Sequence, residues 1–475
     1  MTVTPYWIAG QPGSSADTFE VRSPYDGALA GTASNAAPSD VDTAVRRAND
    51  ASHEVATLPA HARAAALDHV SRRLAERAEE VAALITAESG KPIVFSRAEV
   101  ARGVSTFRWA AEEARRFSGE LQRLDTDPAG TGRLALVRRV SRGPVLGITP
   151  FNFPLNLVAH KVAPAIASGS PIVLKPAPAT PLTALLLGEI LAETELPAGS
   201  WSILPVPNEA ASELVDDPRL PVVSFTGSGP VGWSIRDRVP RKHVTLELGG
   251  NAAAIVCPDW TDLDYAAQRI ATFATYQGGQ SCISVQRVYA HREIHDELVE
   301  RVVAYVGKLG VGAPADPATG VGPLINEAAA QRVQSWVDDA VAAGAKVLAG
   351  GTRDGAYVAP TVLGEAPETA AVNTEEIFGP VLTIAGVESA DEAFARVNAS
   401  RFGLQAGVFT HDIQLAFRAA SALQVGGVVV GDVPSYRADQ MPYGGVKDSG
   451  IGREGLRSAM EDFTEPRVLV LTGLG

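Results

Sequence analysis

The chain is poor in cysteine. Its 475 residues contain two, too few for a disulfide framework, which points to a reducing compartment. Long apolar runs are missing as well: no stretch approaches the roughly 18 uninterrupted apolar residues that a membrane span needs. Positive charge is also in deficit. The 41 Lys+Arg against 54 Asp+Glu leave a formal net charge of −13, the wrong sign for a nucleic-acid or anionic-membrane surface. Met1 to Gly10 contain no basic segment followed by an apolar core, so no signal peptide is expected. No repeat or low-complexity tract stands out. These absences predict a cytoplasmic protein with no nucleic-acid or membrane partner. The remainder is ordinary for a globular chain, with 46% hydrophobic and 20% charged residues, and its length predicts two or three domains.

Read in order, residues 1–37 suggest short strands and turns, including the turn signal Ser23-Pro24-Tyr25-Asp26-Gly27. Helical patterning runs from Ser39 to about Gly90 with a break at Leu58-Pro59, and again from about Ser96 to Ser118. Around Leu121 to Val140 the pattern turns extended and is punctuated by Pro128, Gly130 and Gly132, predicting a hairpin apart from the helices. From Val145 short apolar runs alternate with helices: 145–148, helix 155–168, 171–174, helix 183–193, 202–204 and 222–225. That texture predicts a parallel sheet covered on both faces. A second series follows Glu247, with strands at 253–256, 284–289, 380–384, 406–409 and 427–430 between helical stretches, and predicts a second α/β domain. The tail Arg467 to Thr472 reads as an apolar terminal strand with no obvious local partner, a candidate for pairing across a subunit interface.

The two cysteines differ in setting. Cys257 closes the apolar run Ala252 to Val256 and reads as a core hydrophobe. Cys282 lies in Gly278-Gly279-Gln280-Ser281-Cys282-Ile283-Ser284, where backbone amides can point at a sulfur and favour its thiolate. In Phe225-Thr226-Gly227-Ser228-Gly229-Pro230 a strand ends in a glycine turn and a helix begins, a context that suits a phosphate although the spacing is not GxGxxG. Thr149-Pro150-Phe151-Asn152-Phe153-Pro154 sets an amide between two aromatics at a strand end. Such an asparagine either satisfies backbone groups or stabilises an oxyanion. Glu247, ahead of Gly249-Gly250, is either a salt-bridge partner or a general base.

Taken together, Asn152, Glu247, Cys282, the turn at Gly227, Glu375-Glu376-Ile377-Phe378-Gly379-Pro380 and Tyr443-Gly444-Gly445-Val446-Lys447-Asp448-Ser449-Gly450 resemble the aldehyde dehydrogenase superfamily, in order and nearly end to end. The texture around Asn156 to Lys161 and Ser284 to Arg287 is similar to the lactaldehyde and non-phosphorylating glyceraldehyde-3-phosphate dehydrogenase branch. The resemblance implies an α/β fold: a Rossmann-type dinucleotide-binding domain (1–122 and 142–248), an α/β catalytic domain (249–447) and a small β flap for oligomerisation (123–141 and 464–475). A homodimer or homotetramer is implied with it.

By the same resemblance Cys282 is the nucleophile, Asn152 with the Cys282 backbone N–H the oxyanion site, and Glu247 the base that hydrolyses the thioester. Relatives that pass the acyl group to coenzyme A tend to lack that glutamate, so hydrolysis to the acid is implied. Thr149, Pro150, Phe151, Lys175, Gly227, Ser228, Glu376 and Phe378 match cofactor-side positions; no metal is implied. NAD-preferring relatives often carry a glutamate three residues after the lysine, where this chain has Pro178. The cofactor is NADP or NAD, with NADP favoured. Arg102, His160 (taken to share a helix face with Asn152), Arg287 and Arg437 stand at substrate-tunnel positions. They predict a small aldehyde bearing a phosphate, phosphonate, sulfonate or carboxylate. The competing readings are a cysteine hydrolase, which has no use for the phosphate turn or Glu376, and a catalytically silent structural homologue.

Overall fold

The computed structural model describes residues 3–473. Strands Trp201–Ile203, Ile172–Lys175, Val145–Ile148, Val222–Thr226 and His243–Glu247 lie side by side in that order, all parallel. Every residue of Val145–Ile148, Ile172–Lys175 and Trp201–Ile203 is buried. Helices on both sides of a parallel sheet leave no wet face, so these strands need continuous apolar runs. Tyr6–Ile8 joins Trp201–Ile203 antiparallel and carries Gln11–Gly13 as the edge strand, and Gly450–Ile451 closes the other edge against His243–Glu247. The C-terminal segment thus returns to the first sheet after the chain has built the second.

The second sheet is centred on Ala253–Val256, which runs parallel to Arg287–His291 on one side and Gln405–Phe409 on the other. Val381–Val387, Thr361–Gly364 and Gly427–Val430 extend it, again parallel. Glu247 ends a strand of the first sheet, and the next strand of the chain belongs to the second. The turn between them is where the two sheets meet.

Three expectations need correction. The strand predicted from Ser284 starts at Arg287, because Ser284 still belongs to the preceding turn. Its N–H donates to the Ser281 carbonyl, and its hydroxyl is tied to the carbonyls of Phe273 and Ala274. The helix expected to carry both Asn152 and His160 runs Asn156–Ser168, so Asn152 sits in the turn ahead of it and the two do not share a helix face. The tail does have a partner in its own chain: Thr464–Thr472 pairs antiparallel with Arg133–Ser141 along its whole length, and Glu120–Arg123 takes the other edge. A partner more than 300 residues away leaves no local signal. Val468, Leu469 and Val470 remain exposed.

Two buried carboxylates on the N-terminal helices tie those helices to the first sheet. Glu99, on helix Ile93–Arg116, accepts from the N–H groups of Leu155 (2.9 Å) and Asn156 (3.1 Å). It thereby caps helix Asn156–Ser168, which has no side-chain cap of its own. Glu88 does the same for Leu182–Ala192 through Leu182 and Thr183. The second oxygen of Glu99 pairs with Lys91, and both side chains are fully buried. Removing one member of such a pair strands a buried charge, at a cost of roughly 3–5 kcal/mol, whereas removing both charges is nearly neutral. Glu99→Gln is therefore expected to lower the melting temperature clearly, and adding Lys91→Met to recover most of the loss, as read by thermal denaturation.

Candidate active site

Helix Leu263–Thr275 ends beneath a tight loop in which Gln277, Gly278 and Gly279 are all left-handed, at φ 56°, 64° and 72°. Only glycine takes that conformation without strain, which accounts for two of the three residues; Gln277 bears the strain. The Gln280 side chain holds the loop by donating to the Gln277 carbonyl and accepting from the Ile325 N–H (2.9 Å). Cys282 follows. Its carbonyl lies so close to Gly250 that a Cβ there would stand 2.1 Å from the oxygen. The turn after Glu247 and the Cys282 loop are thus in backbone contact, which any side chain at 250 would prevent.

A cavity of about 580 Å³ opens at this crossing and is lined by Asn152, Glu247 and Cys282 together. The Asn152 amide donates to the Gln280 carbonyl at 2.8 Å, which fixes it against the nucleophile loop and leaves its second N–H free. The Cys282 sulfur lies 3.0 Å from the Tyr443 hydroxyl. Burial pushes the Cys282 thiol up to about 12; the Tyr443 hydrogen bond and the Arg437 charge act against that. Cys257 is also raised to about 12 by burial, but it sits in a core cluster with Ile255, Tyr289 and Phe394. Among the described residues neither oxygen of Glu247 has a hydrogen-bond partner. Burial and the neighbouring Glu454 carboxylate raise Glu247 well above the usual range, against the charges of Arg437 and Lys161. Glu454 goes the other way: Lys161 (3.2 Å) and Arg437 (3.0 Å) overcome its burial and keep it ionised.

A second cavity of about 750 Å³ adjoins the first and shares Pro150, Phe151, Thr226 and Gly227 with it. Thr149, Lys175, Pro178 and Asn208 line it. Lys175 donates to the Asn208 side chain at 3.0 Å, and burial lowers its ammonium to about 8. Ser228 stands at the N-cap of the ten-residue helix Gly229–Arg238, with open space around Gly229. This arrangement presents backbone N–H groups to a phosphate. At the junction, Glu376 accepts from the Gly250 N–H (2.9 Å), and burial raises its carboxyl to about 7. Phe378 takes φ 49° and packs edge-on against Phe151, centroids 6.0 Å apart. The groove runs from a lysine through a phosphate-type turn to a carboxylate beside the cysteine, so its residues fit a dinucleotide.

Of the four expected tunnel residues, Arg102 and Arg437 line the catalytic cavity and the other two do not. His160 is buried behind it, its Nε2 3.2 Å from Asp439, and burial lowers its ring to about 4, so it is uncharged. Arg287, as the first residue of its strand, turns into the core, where its guanidinium donates to the Asn251 carbonyl (2.9 Å) and to Tyr289. It braces the turn after Glu247. Sequence reasoning missed Asp439, which accepts from Arg102 at 3.0 Å, and Glu454, which pairs with Arg437. Asp439 could have been suspected from its place two residues after Arg437. Glu454 leaves no motif.

The model of the aldehyde dehydrogenase family matches residues 11–469, and the chain belongs to that family. A 3-sulfolactaldehyde dehydrogenase of Priestia megaterium is 42% identical over 466 residues, covering 98% of this chain and 97% of the relative. Aldehyde dehydrogenase 21 from Physcomitrella patens, solved with its reaction product succinate, superposes with a TM-score of 0.98 at 45% identity, covering 100% of both chains. An NADP-dependent glyceraldehyde-3-phosphate dehydrogenase from Bacillus halodurans, solved with NADP, gives a TM-score of 0.95 at 33% identity, covering 99% of this chain and 100% of that one.

If Cys282 is the nucleophile, Cys282→Ala removes aldehyde oxidation entirely and Cys257→Ser retains it, as followed by dinucleotide reduction. Gly250→Ala, which forces the two loops apart, is expected to lower kcat at least 100-fold, since misplacement by about 1 Å costs that much.

Proposed function

We propose that the protein oxidises a small aldehyde bearing an anionic group to the carboxylic acid, using NADP or NAD. The observation that carries this reading is that Arg102 and Arg437, from segments far apart in sequence, line the same cavity as Cys282. To a guanidinium, carboxylate, sulfonate and phosphate are one kind of ligand. The sulfonated, carboxylated and phosphorylated compounds in the names of the three similar proteins support the assignment. Pro178 puts no carboxylate at that point of the dinucleotide groove, which favours NADP.

The chain's own groups account for the steps. The Cys282 thiol gives up its proton to solvent, its sulfur attacks the carbonyl carbon as the π pair moves to oxygen, and the free Asn152 N–H with the Cys282 backbone N–H holds the resulting oxyanion, worth about 3–4 kcal/mol per donor in other enzymes. A bound nicotinamide supplies the hydride acceptor. Glu247, with both oxygens unshared, takes a proton from water as that water attacks the thioester. A cysteine hydrolase on this scaffold would leave the second groove, Lys175 and Glu376 without a role.

Arg102→Ala is expected to lower kcat/KM for an anionic aldehyde by roughly 10- to 100-fold, the worth of a hydrogen bond to a charged group, and to leave a neutral aldehyde of similar size nearly unaffected. The steady-state ratio for the two substrates measures this. Glu247 must be ionised to act as a base, and its carboxyl is raised. The acyl-hydrolysis rate therefore increases with pH through that raised value, so the acid limb of the single-turnover profile lies above the ordinary carboxylate range and disappears in Glu247→Gln.

A further inference from the structure

Tyr443 has no role in the scheme above, yet its hydroxyl lies 3.0 Å from the reacting sulfur. The residue is 4% exposed, and among the described residues no other hydrogen bond is found for that hydroxyl. Its backbone is clamped to Glu454 by paired hydrogen bonds of 2.9 and 2.7 Å. Its ring packs with Ile283 and Leu404, and the Arg437 guanidinium carbon lies 3.9 Å from the ring centroid. The phenol therefore has one orientation. A cation against the ring face draws electron density from it and makes the O–H a stronger donor. A thiolate accepts such a hydrogen bond far better than a thiol does.

We propose that Tyr443 is the positioning residue of the nucleophile: its hydroxyl, backed by Arg437, donates to the Cys282 sulfur, favours the thiolate and fixes which lone pair faces the aldehyde. The inference rests on Cys282 being the nucleophile and not on the charge of the substrate. As the sulfur lone pair forms the C–S bond, the carbonyl π pair moves to oxygen and Tyr443 keeps its proton. The hydrogen bond weakens as charge leaves the sulfur. The direction of the Tyr443 effect on the Cys282 thiol agrees, since that hydrogen bond opposes the rise caused by burial.

The test is the pH dependence of Cys282 alkylation in the full-length enzyme, with modification at Cys282 read by peptide mass spectrometry. Iodoacetamide is neutral and iodoacetate anionic, so the pair separates thiolate formation from anion recognition. Tyr443→Phe keeps the ring and its packing. It should raise the alkylation midpoint by about one pH unit, a roughly tenfold lower thiolate fraction at any pH below it, equally for both reagents. Retained quenching of dinucleotide fluorescence shows that the variant is folded. An unchanged midpoint overturns the proposal. Arg102→Ala should change only the iodoacetate-to-iodoacetamide ratio; if it does not, the anionic-substrate reading fails while the Tyr443 result stands. Should Tyr443→Phe not fold, 3-fluorotyrosine at position 443, a more acidic phenol, should lower the midpoint, and no shift there overturns the proposal equally.

Discussion

Two loops from different sheets cross at backbone distance where Gly250 meets the Cys282 carbonyl, and the rest of the site depends on that crossing. Glu247 reaches it as the last residue of a strand in the first sheet. Cys282 reaches it from the end of the helix that precedes a strand of the second. Asn152 is tied to the same loop through the Gln280 carbonyl, and the Gly250 N–H binds Glu376. Glu247, Cys282, Asn152 and Glu376, the residues to which the proposed chemistry assigns base, nucleophile, oxyanion donor and cofactor carboxylate, are thus fixed around one contact with no room for a Cβ. Rigid placement of this kind is what lets proximity lower a barrier.

The second constraint is electrostatic. The site buries Glu247, Glu454, Lys161, Arg437 and Asp439 within one region, and unpaired buried charges are costly. Glu454 is held low because Lys161 and Arg437 face it, and its charge in turn helps raise the Glu247 carboxyl. Two neighbouring carboxylates are thus pushed in opposite directions, Glu247 up and Glu454 down. The tunnel arginines are likewise partnered, Arg102 by Asp439 and Arg437 by Glu454. A fixed carboxylate on one edge of each guanidinium orients it while leaving other N–H groups for a ligand.

Much of this was legible in the chain itself. The alternation of apolar runs and helices gave both sheets, because a strand covered on both faces must be apolar throughout. The glycines beside Cys282 and Glu247 marked close backbone approach. Of the four residues expected at the tunnel, Arg102 and Arg437 line the cavity with Cys282, and His160 and Arg287 do not. Asn152 lies in the turn ahead of helix Asn156–Ser168, so His160 does not share its face, and Arg287 opens its strand with its guanidinium on the Asn251 carbonyl. Errors of a few residues at element ends decide which way a side chain faces. The in-chain pairing of the tail, the capping of one helix by Glu99 from another, and the pairing of Glu454 with Lys161 and Arg437 join segments that only the folded chain brings together.

The central claim is that Cys282 carries the acyl group and Glu247 releases it within one cavity. Peptide mass spectrometry of Glu247→Gln, quenched after incubation with an anionic aldehyde and dinucleotide, tests it most directly. The account predicts one acyl adduct, on the peptide containing Cys282, formed together with one equivalent of reduced dinucleotide and then persisting. Steady turnover in that variant with no adduct, or an adduct on Cys257, would contradict it.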